Sequence, residues 1–224
     1  MEKSRVYITG IAGFIGSTLA YKLHNEGYHV DGIDDLSSSD GSNVEDAPFC
    51  WEYGDFVNSK VDTDVIIHLA ANSNAMDTDM EAVMDNNYYK TTKFFSNNSD
   101  KKLIFASTFL ANLPRQNPYA RSKHLVEEYL RATTFNYTVL RFSNVYGPNQ
   151  ADWGPEPNVL ASWKKLYNEG KPIRIDGDGT QQRDFIHVDD VCEAIKLAIE
   201  KPSVRSNIPI CTGHQVTINE LMEF

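Results

Sequence analysis

The sequence predicts an α/β fold, a doubly wound parallel sheet with a small C-terminal substrate-binding lobe. Short β-branched segments alternate with amphipathic segments along most of the 224 residues. Residues 65–71 form a continuous apolar segment of strand length, which is typical of a parallel strand covered on both faces. A glycine-rich turn joins the first predicted strand to the first predicted helix. Ligands of such sheets bind beyond the carboxyl ends of the strands, so the candidate site residues are those that follow the predicted strands.

The composition limits the partners of this chain. With 31 acidic and 21 basic residues the formal net charge is −10, which disfavours a general attraction to nucleic acid or to anionic lipid. The sequence contains no apolar run of the roughly 18 residues that a membrane span needs, and we expect a cytoplasmic protein. Cys50, Cys192 and Cys211 are far apart and outside any metal-binding spacing, so we expect reduced thiols and no metal site.

The first glycine-rich turn is a candidate phosphate site. Residues 5–9 form the predicted strand, and three glycines let the chain turn, approach a ligand and start a helix whose N–H groups face a pyrophosphate. The residues expected there are Gly10, Gly13, Phe14, Ile15 and Gly16. Their spacing differs from G-x-G-x-x-G, and a turn without a ligand remains an alternative.

Acidic residues follow the next two predicted strands. Asp34 and Asp35 end the strand predicted at 28–33, and Asp34 lies 18 residues beyond Gly16. A carboxylate at this distance can bind the adenosine ribose and repel a 2′-phosphate, which favours NAD over NADP, although a loop carboxylate is the alternative. Residues 49–54 predict a third strand, and Asp55 with Phe56 would contact the adenine. A turn carboxylate explains Asp55 almost equally well.

The central strands supply further candidates. Small side chains at the end of the strand predicted at 65–71 leave room for a cofactor, and His68 is expected to be a core histidine bonded to the backbone. A helical segment at 79–97 and a buried strand at 102–107 follow. The candidate cofactor contacts in this part of the chain are Leu69, Ala70, Ala71 and Asn87.

Tyr119 and Lys123 form the candidate catalytic pair. They lie four residues apart at the start of a predicted helix, so they share one face, and a nearby ammonium is expected to lower the pKa of the phenol. Thr108, just after the strand at 102–107, would orient a substrate hydroxyl beside Tyr119. An exposed helix surface and a threonine cap are the alternatives for these residues.

The chain resembles the extended short-chain dehydrogenase/reductases, specifically the nucleotide-sugar epimerase/dehydratase family. The resemblance rests on residues 9–19, Asp34, Thr108 and the Tyr119-x-x-x-Lys123 motif taken together. The resemblance implies a Rossmann domain at 1–143 that binds NAD and a nucleotide-sugar lobe at 144–224 that is incomplete at its C-terminus. It also implies a homodimer and assigns the nicotinamide ribose to Tyr119 and Lys123.

The resemblance places the substrate contacts in the second half of the chain. Asn144 would contact the diphosphate, Arg183 would clamp phosphate oxygens, and Asn158 with Val159 would begin a helix at the substrate. The alternatives are a turn role for Asn144 and ion pairs of Arg183 with Asp184 or Asp189. A strand at 173–175, a helix at 188–200, a strand at 207–211 and a capping box at 217–220 complete the expected elements.

The family resemblance leaves several reactions open, and we expect epimerisation at sugar C4 through a 4-keto sugar. The 4,6-dehydratases, our first alternative, typically have an Asp-Glu pair after the hydroxyl residue, where this chain has Phe109 and Leu110. Other sugar-nucleotide oxidoreductases and a non-catalytic NAD-binding sensor are further alternatives. The segment between Thr108 and Tyr119 is about half as long as in most relatives, so the sugar and the nucleotide stay open.

Overall fold

The computed structural model describes residues 3–151 and 159–223. Helices and strands alternate as expected from the hydrophobic pattern. In chain order the elements are β1 (Arg5–Thr9), α1 (Phe14–Asn25), β2 (His29–Asp34), β3 (Cys50–Tyr53), β4 (Val65–His68), α2 (Met80–Met84), α3 (Thr91–Asn97), β5 (Lys102–Thr108), α4 (Pro118–Ala132), β6 (Asn136–Phe142), β7 (Asn144–Tyr146), α5 (Val159–Asn168), β8 (Gln182–His187), α6 (Val188–Glu200), β9 (Asn207–Ile210), β10 (Gln215–Thr217) and α7 (Ile218–Leu221).

Seven parallel strands form the main sheet in the order β3-β2-β1-β4-β5-β6-β9. The chain reverses its direction of growth between β1 and β4, which opens a crevice at their carboxyl ends. A second sheet of three strands, β10-β8-β7, is mixed and belongs to the smaller lobe. The predicted doubly wound fold with a small C-terminal lobe is therefore confirmed.

Both faces of the main sheet are covered because alternate side chains of each strand point to opposite sides. Ile8 of β1 packs in the cluster that contains Leu19 of α1 and Ile195 of α6. Its neighbour Tyr7 packs in the other cluster, with residues of α3 and α4 such as Phe94. All four residues of β4 are buried, in agreement with the apolar run that predicted this strand.

Three predicted elements differ in detail from the structure. The strand predicted at 65–71 ends at His68, and the chain then leaves the sheet. The helical segment at 79–97 is interrupted by a π-helical turn at Asp85–Lys90 between α2 and α3. Residues 173–175 are not a strand, since Ile173 is exposed and the strand β8 forms instead from the more polar Gln182–His187.

The C-terminal part of the chain contributes to both sheets. Helix α6 packs against α1, and β9 pairs with β6 at the edge of the main sheet. The capping box opens α7, with Thr217 accepting a hydrogen bond from the Glu220 amide. The proposed division into 1–143 and 144–224 stays a prediction, because elements beyond residue 144 complete the layers of the main sheet.

Three observations concern membranes, metals and cysteines. None of the helices in the described ranges 3–151 and 159–223 is long and apolar enough to cross a membrane. In the same ranges no group of three His, Cys, Asp or Glu side chains is arranged to hold a metal ion. Cys50, Cys192 and Cys211 are all free thiols.

Candidate active site

The glycine-rich turn lies at the carboxyl end of β1 and depends on two glycines. Gly10 has a φ of +75° and donates its N–H to the Ile33 carbonyl at 2.9 Å. A Cβ atom at Gly16 would lie 2.0 Å from the Gly10 carbonyl oxygen, so α1 can approach the turn only with glycine there. Helix and strand are thus held unusually close at this point.

The N-terminus of α1 suits a phosphate group. The helix starts at Phe14, followed by Ile15, and its first turn has no acidic residue. Within the described residues no side chain caps it. The first N–H groups of a helix lack intrahelical partners and attract anions. Helix α4, in contrast, is capped by the Asn117 side chain, which accepts from the Ala120 N–H at 2.7 Å. The geometry fits the pyrophosphate of a dinucleotide.

Asp34 fastens the glycine-rich turn to the end of β2. Its two carboxylate oxygens accept hydrogen bonds from the Ala12 and Leu36 amides, each at 2.9 Å. Burial raises the pKa of Asp34, and these backbone hydrogen bonds act in the opposite direction. Asp35 is exposed and bonds the Ser37 amide and hydroxyl. Asp34 is therefore the one of the two that belongs to the crevice.

Asp55 and Phe56 face different environments. Asp55 accepts from the Val57 amide at 2.9 Å and forms an ion pair with Lys90, whose Nζ lies 2.7 Å away. The Phe56 ring is buried edge-on against the His68 ring, with their centres 4.9 Å apart. The Phe56 side chain is therefore part of the core, and its predicted cofactor contact stays a prediction.

His68 lies in the core, but its partners differ from those expected. Nδ1 lies 2.8 Å from the Thr9 hydroxyl and Nε2 lies 3.0 Å from the Thr91 hydroxyl. The expected bond to the backbone is thus replaced by two side-chain hydroxyls, which satisfy both ring nitrogens. Burial, aided by the charge of Lys123, holds the pKa of His68 well below its ordinary value.

The loop after β4 lies against the glycine-rich turn. The Leu69 amide donates to the Thr9 carbonyl at 3.1 Å and the Ala70 amide lies beside Gly10, while Ala71 is partly buried. Asn87, in the π-helical turn, accepts from the Asn72 amide at 2.8 Å. Its amide group donates to the Asn72 carbonyl at 2.9 Å and to the Ser122 hydroxyl at 3.1 Å. Asn87 thus connects this loop to α4, and its predicted contact with a cofactor stays a prediction.

Thr108, Tyr119 and Lys123 meet at the carboxyl end of β5. Thr108 is the last residue of that strand, and its side chain lies near enough to the Tyr119 phenol to influence the pKa of Tyr119. Lys123 is 3% exposed and donates from Nζ to the Ala106 carbonyl at 2.8 Å. The same Nζ lies 5.9 Å from the centre of the Tyr119 ring. The sequence prediction that these three side chains converge agrees with this geometry.

The electrostatics of the pair differ from the prediction. Burial raises the pKa of Tyr119 to about 12, and the neighbouring Thr108 side chain only opposes this. Burial lowers the pKa of Lys123 to about 7, opposed by the negative charge of Glu127. The expectation that Lys123 lowers the pKa of Tyr119 was therefore wrong for this arrangement, because burial is the largest influence on the phenol and raises its pKa.

Glu127 is a residue that sequence reasoning missed. It is 1% exposed, lies one helical turn after Lys123 and is paired with Arg141 of β6. The spacing of four residues between Lys123 and Glu127 was the signal available in the sequence. The burial of the carboxylate was not visible there, because charged residues on a helix usually face solvent.

The residues predicted to bind substrate lie in the smaller lobe. Asn144 donates from its amide to the Asp184 carbonyl at 3.0 Å and so connects β7 to β8. Arg183 is exposed and donates to the carbonyl of Gln182; Asp184 bonds Ser143, Thr212 and Gly213 instead of Arg183. Val159 begins α5, whereas Asn158 lies outside the described residues.

A cavity of about 470 Å³ opens in this lobe beside α5. Its lining is mostly apolar, with one ammonium group. The lining residues include Tyr146, Leu160, Lys164, Phe185, Val216 and Leu221.

The chain is similar to several known proteins. A UDP-glucose 4-epimerase from Mycolicibacterium smegmatis is 29% identical, over 97% of this chain and 80% of the relative. An ADP-L-glycero-D-manno-heptose-6-epimerase from Brachyspira hyodysenteriae is 30% identical, over 96% and 78%. The crystal structure of a Thermotoga maritima UDP-glucose 4-epimerase with UDP-glucose is 30% identical, covers 98% of this chain and 80% of that chain, and gives a TM-score of 0.88.

The family match covers the candidate site. The glycine-rich turn, Asp34 and the Thr108–Tyr119–Lys123 group all lie in the part of the chain that the family model matches, residues 6–210. The relatives include epimerases that act at different carbons of different sugars, UDP-glucose 4-epimerases and a heptose 6-epimerase. Similarity therefore identifies the family more firmly than the reaction. The chain belongs to the NAD dependent epimerase/dehydratase family.

Proposed function

We propose that this protein is an NAD-dependent nucleotide-sugar epimerase that inverts sugar C4 through a 4-keto sugar. The observation that carries the proposal is the convergence of Thr108 and Tyr119 at the carboxyl end of β5, with Lys123 Nζ 5.9 Å from the centre of the Tyr119 ring. Two hydroxyl groups at this position can hold one substrate alcohol and exchange its proton. The uncapped α1 N-terminus and Asp34 are suited to the two ends of the adenosine diphosphate part of NAD.

The roles of the side chains follow from this arrangement. When bound, NAD would supply a cationic ring that takes up hydride from sugar C4 and returns it. Tyr119 accepts the proton of the C4 hydroxyl as the ketone forms and gives it back after the opposite face of the ketone is presented. Thr108 orients the reacting oxygen. Tyr119 must be ionised to accept this proton, and the positive charge that bound NAD would bring near the phenol would lower its raised pKa.

The residues after Thr108 favour epimerisation over dehydration. Removal of water needs a separate acid and base in addition to the oxidation step. Phe109 and Leu110 are apolar, and the short segment up to Asn117 has no carboxylate. Glu127 is buried and held by Arg141, so it cannot serve as that base.

The smaller lobe is suited to the nucleotide. The exposed guanidinium of Arg183 is a bidentate donor for the diphosphate, and Asn144 with Val159 and Asn158 would complete the contacts. The apolar cavity beside α5 has a volume typical of ligand pockets and is assigned to the nucleoside. UDP-sugars are the first substrates to test, because two of the relatives are UDP-glucose 4-epimerases.

Product analysis tests this function. The purified protein is incubated with NAD and with UDP-, GDP-, dTDP- and CDP-sugars, and products are identified by NMR. We expect a C4 epimer, with kcat about 10²- to 10⁴-fold lower in Tyr119→Phe. Tyr129→Phe, on the same helix but bonded weakly to the Thr92 carbonyl at 3.4 Å, is the matched control.

Other products would contradict the proposal in distinguishable ways. A 4-keto-6-deoxy sugar would indicate a dehydratase. NAD binding without reduction by any sugar nucleotide would indicate a sensor. Full turnover by Tyr119→Phe would remove Tyr119 from the mechanism.

We also propose a homodimer, as the family resemblance implies. Val126 and Leu130 of α4 are fully buried in the core of this chain, so they are unavailable to a partner. Leu125 and Tyr129 are partly exposed on the same helix and would take part in a dimer contact. Light scattering during size-exclusion chromatography measures the mass directly, and a monomer at all concentrations would contradict the proposal.

A further inference from the structure

We propose that Glu127 is a positioning residue that keeps Lys123 positively charged and holds the end of β5 in place for Thr108. The inference rests on the proposed function, in which Thr108, Tyr119 and Lys123 act on a sugar hydroxyl. Glu127 lies one turn of α4 beyond Lys123, on the same face of the helix.

The Glu127 carboxylate is buried but fully hydrogen-bonded. One oxygen accepts from the Ser107 hydroxyl at 2.5 Å and from Arg141 Nε at 2.8 Å. The other accepts from Asn207 at 2.7 Å and from a second nitrogen of Arg141. Four donors, two of them from a bidentate guanidinium, satisfy the carboxylate oxygens although the side chain is out of solvent.

The contacts of Glu127 and Lys123 alternate along the end of β5. Lys123 bonds the carbonyl of Ala106, Glu127 bonds the hydroxyl of Ser107, and Thr108 follows. Two adjacent turns of α4 therefore grip two consecutive residues of the strand. Loss of either contact would let the Thr108 hydroxyl move relative to Tyr119.

Arg141 extends the same network to the short segment before Tyr119. It lies beside Ser107 in the β5–β6 register and donates from Nη1 to the Asn112 side chain at 2.5 Å. The ion pair thus braces the strand end and the segment that follows Thr108. Asn207 connects it to β9, at the edge of the main sheet.

The charge of Lys123 depends on few neighbours. His68 faces it from β4 and is neutral, because burial holds the pKa of His68 well below its ordinary value. Tyr119 lies on the same helix as a neutral phenol, since burial raises its pKa to about 12. Glu127 is the group that raises the pKa of Lys123 against the effect of burial. The guanidinium of Arg141 is bound by Glu127.

NMR titration tests the electrostatic role without any turnover. Protein labelled with ¹³Cε-lysine is titrated, with the Lys123 signal assigned from its absence in Lys123→Met. We expect the titration midpoint of Lys123 to move to lower pH in Glu127→Gln. Glu128→Gln is the matched control, because Glu128 is the next residue of α4 and pairs with Arg131 on the surface.

Kinetics test the positioning role. The assay uses a nucleotide sugar that the wild-type protein converts. In Glu127→Gln, kcat should fall on the order of tenfold to a hundredfold with KM little changed. The alkaline limb of the pH profile of kcat should move to lower pH. Glu127→Asp keeps the charge at a shorter reach. This variant should keep the titration midpoint of Lys123 but have a lower kcat than the wild-type protein. It replaces Glu127→Gln in the test if Glu127→Gln does not fold.

The outcomes separate this inference from the proposed function. If the wild-type protein turns over no sugar nucleotide, the proposed function fails while the Lys123 titration is still measurable. An unchanged Lys123 midpoint in Glu127→Gln, or an equal shift in Glu128→Gln, would overturn the electrostatic role. Wild-type kcat in Glu127→Asp would overturn the positioning role.

Discussion

Replacing Gly16 by alanine should weaken both NAD binding and the fold. The new Cβ atom would lie 2.0 Å from the Gly10 carbonyl oxygen and 2.9 Å from the Ile11 Cα. Cβ atoms are essentially never closer than 3.0 Å to other heavy atoms, so α1 and the turn must separate by about 1 Å. Gly10 cannot yield easily, because its N–H is bonded to the Ile33 carbonyl and its Cα packs against Ala70.

The size of the effect follows from that displacement. Overpacking of this kind costs about 1–3 kcal/mol of the free energy of unfolding, and a domain of this length loses about 2–4 °C of Tm per kcal/mol. A hydrogen bond lengthened by about 1 Å is largely lost. We therefore expect the Kd for NAD to rise at least about tenfold, since the helix N–H groups would no longer reach the phosphate oxygens.

Thermal unfolding and calorimetric titration with NAD measure the two effects separately. Gly27→Ala is the matched control: Gly27 has a φ of +85°, but no heavy atom lies within 4 Å of a Cβ built there. It should lose about 1–2 kcal/mol from backbone strain and keep its affinity for NAD. Wild-type affinity in Gly16→Ala, or an equal loss in Gly27→Ala, would refute the reasoning.

Two further predictions concern charge. Burial lowers the pKa of Lys123 to about 7, so above that pH the unfolded chain binds more protons than the folded protein. The free energy of unfolding of the wild-type protein should therefore rise by about 2 kcal/mol relative to that of Lys123→Met between pH 7 and pH 9. Urea unfolding at both pH values measures this, and a constant difference would contradict it. Asp34→Ser removes the charge that repels a 2′-phosphate, so the ratio of the NADP and NAD dissociation constants should fall about tenfold or more in fluorescence titrations. An unchanged ratio would exclude Asp34 as the selectivity residue.

The sequence predicted the strands of the main sheet well because its signals are local. The apolar run at 65–71 and the β-branched residues at 5–9 identify buried parallel strands without any knowledge of their neighbours. Strand β8 was missed because it belongs to a small sheet of the lobe, where Gln182 and Arg183 are exposed. A strand with so many polar residues lacks the periodicity that identifies one.

The hydrogen-bond partners and the surroundings of the site residues were harder to predict than their positions in the fold. The placement of His68 in the core was expected, but its two hydroxyl partners, Thr9 and Thr91, come from different elements of the fold. Desolvation is also a property of the whole fold, and this is why the expected fall in the pKa of Tyr119 was replaced by a rise to about 12. A spacing of four residues gives proximity, but it does not give the surrounding dielectric.

The sequence alone thus determined the fold class, the glycine-rich turn and the convergence of Thr108, Tyr119 and Lys123, because each depends on local periodicity and on the rule that parallel strands end at one edge. The tertiary structure decided what surrounds them. Only the packing of α4 onto β5 and β6 buries Glu127 with Arg141 behind Lys123. The pair joins α4 to the strand that follows it, β6, and its burial follows from the packing of the helix on the sheet rather than from any local pattern.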